Sequence, residues 1–322
     1  MSGKLRISAL LGMALAVSLC GSVLAGTQYI SIATSSAGGT FSIIGTAMAD
    51  IINKNIKGVN ANIEVTGGSS ENILLASGKS VEIAFTASDV LYLALNSMGS
   101  FEGKQVEGLQ GIMGGNMNTL QVYVLADGPI KTFDDLKGKR ISCGPPGSVG
   151  IDAMRSIMEV YGYEMGKDWT PEFLAHGDGA ESLTDGNVDA VAIMTIVPCS
   201  PALTAAAAKP IRLLSMEEDK QKKLMEAQPF YLPASVKANV YKGQTEEVPY
   251  TIGSASLLIC HESLSEDLVY EVAKALYENN DILIKAYPQC DEWVPDNAYR
   301  GLDGLTLHPG AVRYLKEIGK AK

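Results

Sequence analysis

Two glycine-rich turns carry the residues best suited to chemistry. The first, Ser35-Ser36-Ala37-Gly38-Gly39-Thr40, follows an apolar run, Tyr29–Thr34. The second, Gly144-Pro145-Pro146-Gly147-Ser148-Val149-Gly150, follows Arg140–Cys143. Each puts flexible backbone and a small hydroxyl just before a segment with helical spacing. Free N–H groups and the helix dipole make such a place favourable for an anion. Phosphate is the first anion to consider, but neither G-x-x-x-x-G-K-[ST] nor G-x-G-x-x-G occurs in the chain. A carboxylate is the smaller anion such a turn accepts. A turn of this kind also serves simply to cap a helix.

Two more turns share this chemistry. Thr66-Gly67-Gly68-Ser69 and Ser88-Asp89 each end a strand-like run and begin a helical one. Open α/β sheets place ligands at the C-terminal ends of their strands, so these turns point small polar groups at one edge. Ser69, Ser88 and Asp89 equally suit the caps of their helices. Pro146–Gly150 is similar to the G-x-S-x-G nucleophile elbow of hydrolases, but Pro146 stands where the first glycine belongs. His176, His261 and His308 are the only histidines, and none has the context of a base for Ser148. No H-E-x-x-H and no His/Asp/Glu cluster argues for a metal, and nothing calls for a cofactor. The reading is a binding protein rather than an enzyme.

The elements that position these turns alternate. Ile44, Ala47, Met48, Ile51 and Ile52 mark an amphipathic helix from Thr40 to about Asn55. Residues 61–67, 81–88, 109–115 and 120–127 read as strands, and 69–79 and 89–97 as helices. The pattern then restarts: a strand at 140–144, a helix from about Val149 to Tyr161, and strands at 171–177, 188–194 and 211–216. A strand at 251–261, a helix from Glu266 to about Lys285 and a short helix near Pro309 complete the chain. Strand–turn–helix repetition argues a parallel sheet covered by helices, here twice, in two similar α/β lobes.

Composition agrees with a globular protein of two domains: 322 residues, 46% hydrophobic and 19% charged. Net charge is −10, so nucleic acid is no partner. Residues 1–25 read as a secretory signal peptide cleaved after Ala25, with Lys4 and Arg6 before an apolar run and Val23 and Ala25 at the cleavage site. Its removal takes the net charge to −12 and places the mature protein in the periplasm. Cys20 leaves with it. Cys143, Cys199, Cys260 and Cys290 remain, with spacings that fit no metal motif. They read as buried free thiols, although four cysteines allow two disulfides.

The mature chain resembles the TAXI group of extracytoplasmic solute-binding proteins of TRAP transporters. The resemblance runs through Ser35–Asn53, Val65–Gly78, Ser88–Ala94, Ile130–Gly150, Asp185–Ala207, Ile211–Met216, Val248–Asn279 and Leu307–Gly319. It implies an α/β, two-lobe periplasmic binding protein fold of type II, each lobe a sheet flanked by helices with the ligand cleft between. Lobe 1 would be discontinuous, 26–122 plus 250–322, and lobe 2 would be 123–249. The implied function is a periplasmic receptor that captures a small carboxylate, such as glutamate, glutamine or a related organic acid, by lobe closure. It would deliver the ligand to the membrane subunits of an ion-gradient-driven TRAP-type permease. A receptor reporting to a sensor or serving another transporter is the alternative. The matched ligand-binding positions are Gly38, Gly39, Thr40 and Phe41; Gly67, Gly68 and Ser69; Ser88 and Asp89; and Pro146, Gly147 and Ser148. Ser36 belongs to the first turn, and Val197 and Pro198 would form a rigid edge of the second lobe. By their residue types Phe41 and Tyr92 suit the walls of the apolar part of the ligand, although core packing is the more expected role for Tyr92. The chain departs from the family at Val149, Ile151–Asp152 and Thr86–Ala87, all bordering the cleft.

Overall fold

The computed structural model describes residues 27–35, 40–145, 148–302 and 304–322. The signal peptide, its cleavage after Ala25, and the candidate residues Ser36, Gly38, Gly39, Pro146 and Gly147 lie outside them.

The first lobe opens with β1 (Gln28–Ala33), α1 (Thr40–Asn55), β2 (Val59–Glu64), α2 (Ser69–Ser77), β3 (Ile83–Ala87) and α3 (Ser88–Leu95). The apolar spacing in α1 does what it predicts: Ile44, Ala47, Met48, Ile51 and Ile52 are all buried. β1 pairs in parallel with β2 on one side and β3 on the other. Gly78-Lys79-Ser80 stands at the C-terminal end of α2, and Ile73 occupies the place of the first glycine of a phosphate loop.

The chain then runs into β4 (Leu109–Leu125), a single strand of 17 residues where two short ones were expected. Gly114 and Gly115, within that strand, admit close neighbours. A Cβ at Gly114 would lie 2.4 Å from the Asn297 carbonyl oxygen, and one at Gly115 2.2 Å from the Trp293 ring.

The second lobe comprises β5 (Arg140–Ser142), α4 (Val149–Val160), β6 (Thr170–Glu172), α5 (His176–Asp185), β7 (Ala190–Thr195), α6 (Ser200–Ala208), β8 (Ile211–Leu213), α7 (Glu218–Ala227) and β9 (Leu232–Val236). β6 is shorter than the sequence suggests because α5 begins at His176. The chain returns through β10 (Val248–His261), followed by α8 (Glu266–Glu278), α9 (Asn280–Ala286) and α10 (Pro309–Glu317). The single helix expected over 266–285 breaks at Asn279.

One ten-stranded sheet, ordered β2-β1-β3-β10-β4-β7-β5-β6, joins both lobes. It is mixed rather than parallel. β10 runs antiparallel to β3 and β4, and β4 antiparallel to β7. β8 and β9 extend it beside β4 and β10. β10 is buried on both faces over most of its length, as a strand covered by helices on each side must be. The apolar core is divided. One cluster holds residues up to Met113 and from Ala255 onward, and two others lie between Leu120 and Ile252. Among the described residues no helix is long and apolar enough to cross a membrane, and no group of three or more His, Cys, Asp or Glu side chains is arranged to hold a metal.

Cys143, Cys199, Cys260 and Cys290 are free and buried. Burial pushes the thiols of Cys143, Cys260 and Cys290 up to about 12. A thiol reagent should therefore find none of the four in the native protein and all four in denaturant. The substitution Gly115→Ala, which drives a methyl group into Trp293, should cost about 1–3 kcal/mol in urea unfolding.

Candidate functional site

The strands of both lobes end against β4 and β10. Ala87, the last residue of β3, aligns with Ser256 of β10. Thr195, the last of β7, aligns with Thr119 of β4, which in turn aligns with Gly253. The turns that follow these strands thus arrive within a few residues of one another. A cavity of about 650 Å³, within the size range of small-molecule sites, opens beside Thr119 and the turn after β7; of the described candidate residues only Val197 and Pro198 line it. Its walls include Asn116, Met117 and Thr119 of β4, Val197 and Pro198 after β7, and Glu292 and Arg300 from the C-terminal segment.

Arg300 and Glu292 hold that segment to β4. The guanidinium lies 3.1 Å from a Glu292 carboxylate oxygen and donates to the Gly115 carbonyl at 3.1 Å and to Asn297 Oδ1 at 2.8 Å. The other Glu292 oxygen accepts the Met117 N–H at 2.8 Å. Lys237, also lining the cavity, is exposed and forms no ion pair among the described residues.

In the first lobe, the turns are tied by Asn72, a residue sequence reading passed over. Its Nδ2 donates to the carbonyls of Thr34 at 2.6 Å and Phe85 at 2.8 Å. Its Oδ1 accepts from Thr66 Oγ1 at 2.6 Å, and Thr66 Oγ1 accepts the Gly68 N–H at 3.1 Å. One buried amide therefore joins the ends of β1 and β3 to the turn before α2. A polar residue beside Ile73 on the buried face of α2 was the signal for it. Gly68, at φ +102°, has a backbone that favours glycine.

The candidate hydroxyls have structural partners. Ser69 Oγ accepts the Ala87 N–H at 3.1 Å, and Ser88 Oγ accepts the Ala255 N–H of β10 at 2.9 Å. Asp89, 7% exposed, accepts the Val90 N–H at 2.9 Å. Burial pushes its carboxyl above the usual range; the Ser254 hydroxyl opposes this and the Asp152 carboxylate adds to it. Thr40 begins α1. The Phe41 ring stacks on Phe85 at 5.0 Å, and Phe85 meets Trp293 edge-on at 5.7 Å, so Phe41 leans on the lobe's own core. Tyr92 instead meets Phe230 of the other lobe at 5.7 Å.

In the second lobe, Ser148 is the N-cap of α4, and its Oγ accepts the Gly150 N–H at 3.2 Å. The structure brings His176 to this turn, which its place in the sequence gave no sign of. A Cβ at Gly144, where φ is +85°, would lie 2.5 Å from His176 Cε1 and 2.6 Å from Ser148 Oγ. Burial lowers the pKa of His176, which favours the neutral ring. Among the described residues its Nδ1 is buried with no partner, so none of them orients it as the acid of a triad would. The edge at Val197 and Pro198 is fixed from behind. The Cys199 N–H donates to the Tyr241 hydroxyl at 2.8 Å, that hydroxyl donates to Gln121 Oε1, and Gln121 Nε2 donates to the Thr195 carbonyl at 3.3 Å.

Two lobes on one sheet, crossed by two antiparallel strands with a cavity between, define the type II periplasmic binding protein fold. A solute-binding protein of the TctC group from Polaromonas has this fold at 16% identity, over 83% of this chain and 89% of that one, with a TM-score of 0.56. A Xanthomonas citri protein bound to ATP matches at 9% identity, over 90% of this chain and 95% of that one, with a TM-score of 0.52. Residues 32–319 match the model of the NMT1-like family, and the chain belongs to that family.

The buried Asp89 has a consequence for stability. Its folded pKa is raised above the ordinary 3.8, so the folded state favours the protonated acid. That contribution is fully present below the unfolded value and is lost as pH rises through the raised one. Asp89→Asn should therefore raise the urea midpoint at pH 7, and the gain should shrink as pH falls towards 3.8.

Proposed function

We propose that this protein is an exported receptor that captures a small carboxylate between its lobes and hands it to a TRAP-type, ion-gradient-driven permease. The lobes are 26–122 with 250–322, and 123–249. The observation that carries the reading is the cavity at the crossing of β4 and β10, walled by residues from both lobes. A ligand touching both walls favours the closed arrangement by its difference in affinity for the two states.

In this reading each lobe also contributes small donors that stand outside the lining of that cavity. Thr40 stands at the N-terminus of α1, and Ser148 with the first N–H groups of α4 stands in the opposite lobe. Val197 and Pro198 form the edge of the second lobe. The resemblance to TAXI proteins points to glutamate, glutamine and related organic acids as the ligand class and to the permease as the partner.

Thermal unfolding of the mature protein against a panel of amino acids and dicarboxylates tests this. A true ligand at a hundred times its Kd should add about 2.7 kcal/mol of stability. Thr40→Ala and Ser148→Ala should each weaken its binding roughly tenfold in calorimetry. Ser148→Ala should also cost about 1 kcal/mol of stability as a lost N-cap. If the panel gives no stabilisation, or both variants bind as the parent does, the reading is wrong.

A further inference from the structure

The charged side chains lining the cavity are Arg300, Glu292 and Asp291 from the first lobe and Lys237 from the second. Glu292 is satisfied within the fold, because one oxygen meets Arg300 and the other accepts the Met117 N–H. Asp291 is exposed. Arg300 is fixed through its terminal nitrogens alone. Nη1 lies beside Glu292 and donates to the Gly115 carbonyl, and Nη2 donates to Asn297 Oδ1. Its Nε–H and the second Nη2 hydrogen have no acceptor among the described residues. Nε and Nη2 share one edge of the guanidinium plane, the geometry that grips a carboxylate with two parallel bonds.

Across the cavity, Lys237 is the only charge that the second lobe brings to the lining, and it forms no ion pair among the described residues. Its backbone is held by the buried Gln244, whose Nε2 donates to the Lys237 carbonyl at 2.8 Å and whose Oε1 accepts the Val240 N–H at 2.9 Å. Val197, Pro198 and Val240 make the wall beside it apolar. We propose that Arg300 and Lys237, one from each lobe, receive the acid group of the ligand in this cavity, Arg300 through its free edge and Lys237 as the lobes close. This rests on the carboxylate reading above and assigns the residues that read the charge. An acid held at Arg300 gains Lys237 only when the second lobe is brought up, so the charge itself favours the closed state. An amide of the same shape does not, because its NH2 group turns donors towards donors.

Calorimetry on the mature full chain tests this with acids and their amides: glutarate against glutaramide, and L-glutamate against L-glutamine and L-isoglutamine. Replacing the recognised acid group by its amide should weaken binding to the parent protein roughly tenfold to a hundredfold, the value of hydrogen bonds to a charged group. Lys237→Met should shrink that ratio roughly tenfold and leave the urea midpoint in place. Arg300→Lys, which keeps the charge but loses the planar edge, should weaken the acid more than the amide. Suppose instead that Lys237→Met binds the acid as tightly as the parent while Thr40→Ala and Ser148→Ala weaken it. The acid then lies at the helix N-termini, the carboxylate reading stands and this assignment falls. Variants that weaken acid and amide alike overturn it too, and leave Arg300 as a clamp on β4. If no acid of the set binds the parent, the carboxylate reading itself fails and this proposal goes with it.

Discussion

The hydrogen bonding of β4 to β10 is the constraint on which the rest of the molecule depends. The two strands pair from Leu109 and His261 to Thr119 and Gly253, and each continues into the second lobe with new neighbours. At Thr119 and Gly253 the flanking strands change: β3 gives way to β9 beside β10, and β7 takes up the free side of β4. Register shifts near Ala255 and Leu258 bend the pair where the change occurs. The lobes are thus joined by continuous backbone rather than by a loose linker.

Fixing the ribbon are polar groups that look, one at a time, like candidate ligand contacts. Ser88 caps the Ala255 N–H, Glu292 takes the Met117 N–H, and Arg300 takes the Gly115 carbonyl. Thr251 Oγ1 donates to the Leu120 carbonyl at 2.8 Å on the second-lobe side. Each bond is buried or partly buried, where an unmade partner is expensive. The cavity is therefore built on a floor fixed by buried hydrogen bonds.

Local periodicity carried the sequence a long way. The five apolar residues of α1 are buried as their spacing demands, and strand–turn–helix order is kept in both lobes. What local pattern cannot carry is contact between distant residues. Two strands, 109–115 and 120–127, were expected where β4 is one, and the reason for Gly114 and Gly115 is Trp293 and Asn297, nearly two hundred residues later. β10 is antiparallel because it returns from the other lobe, and no local periodicity records that. The same holds at the site. Asn72, His176 and Arg300 reach it through partners far along the chain, whereas Ser148 sits where its own helix begins.

The place of β10 within the sheet also orders events during synthesis. It lies between β3 and β4, yet 122 residues of the second lobe, from Ala126 to Glu247, separate it from β4 in the chain. Until Val248–His261 emerges, the inner edges of β3 and β4 have no partner, and the first lobe is a sheet with its middle missing. The second lobe lacks only a flank at that moment. Closing the first lobe is a long-range event that waits on the last quarter of the polypeptide, and such pairings are slow because the loop must close before any contact rewards it. The N-terminal half that begins the fold is thus the last part able to finish it.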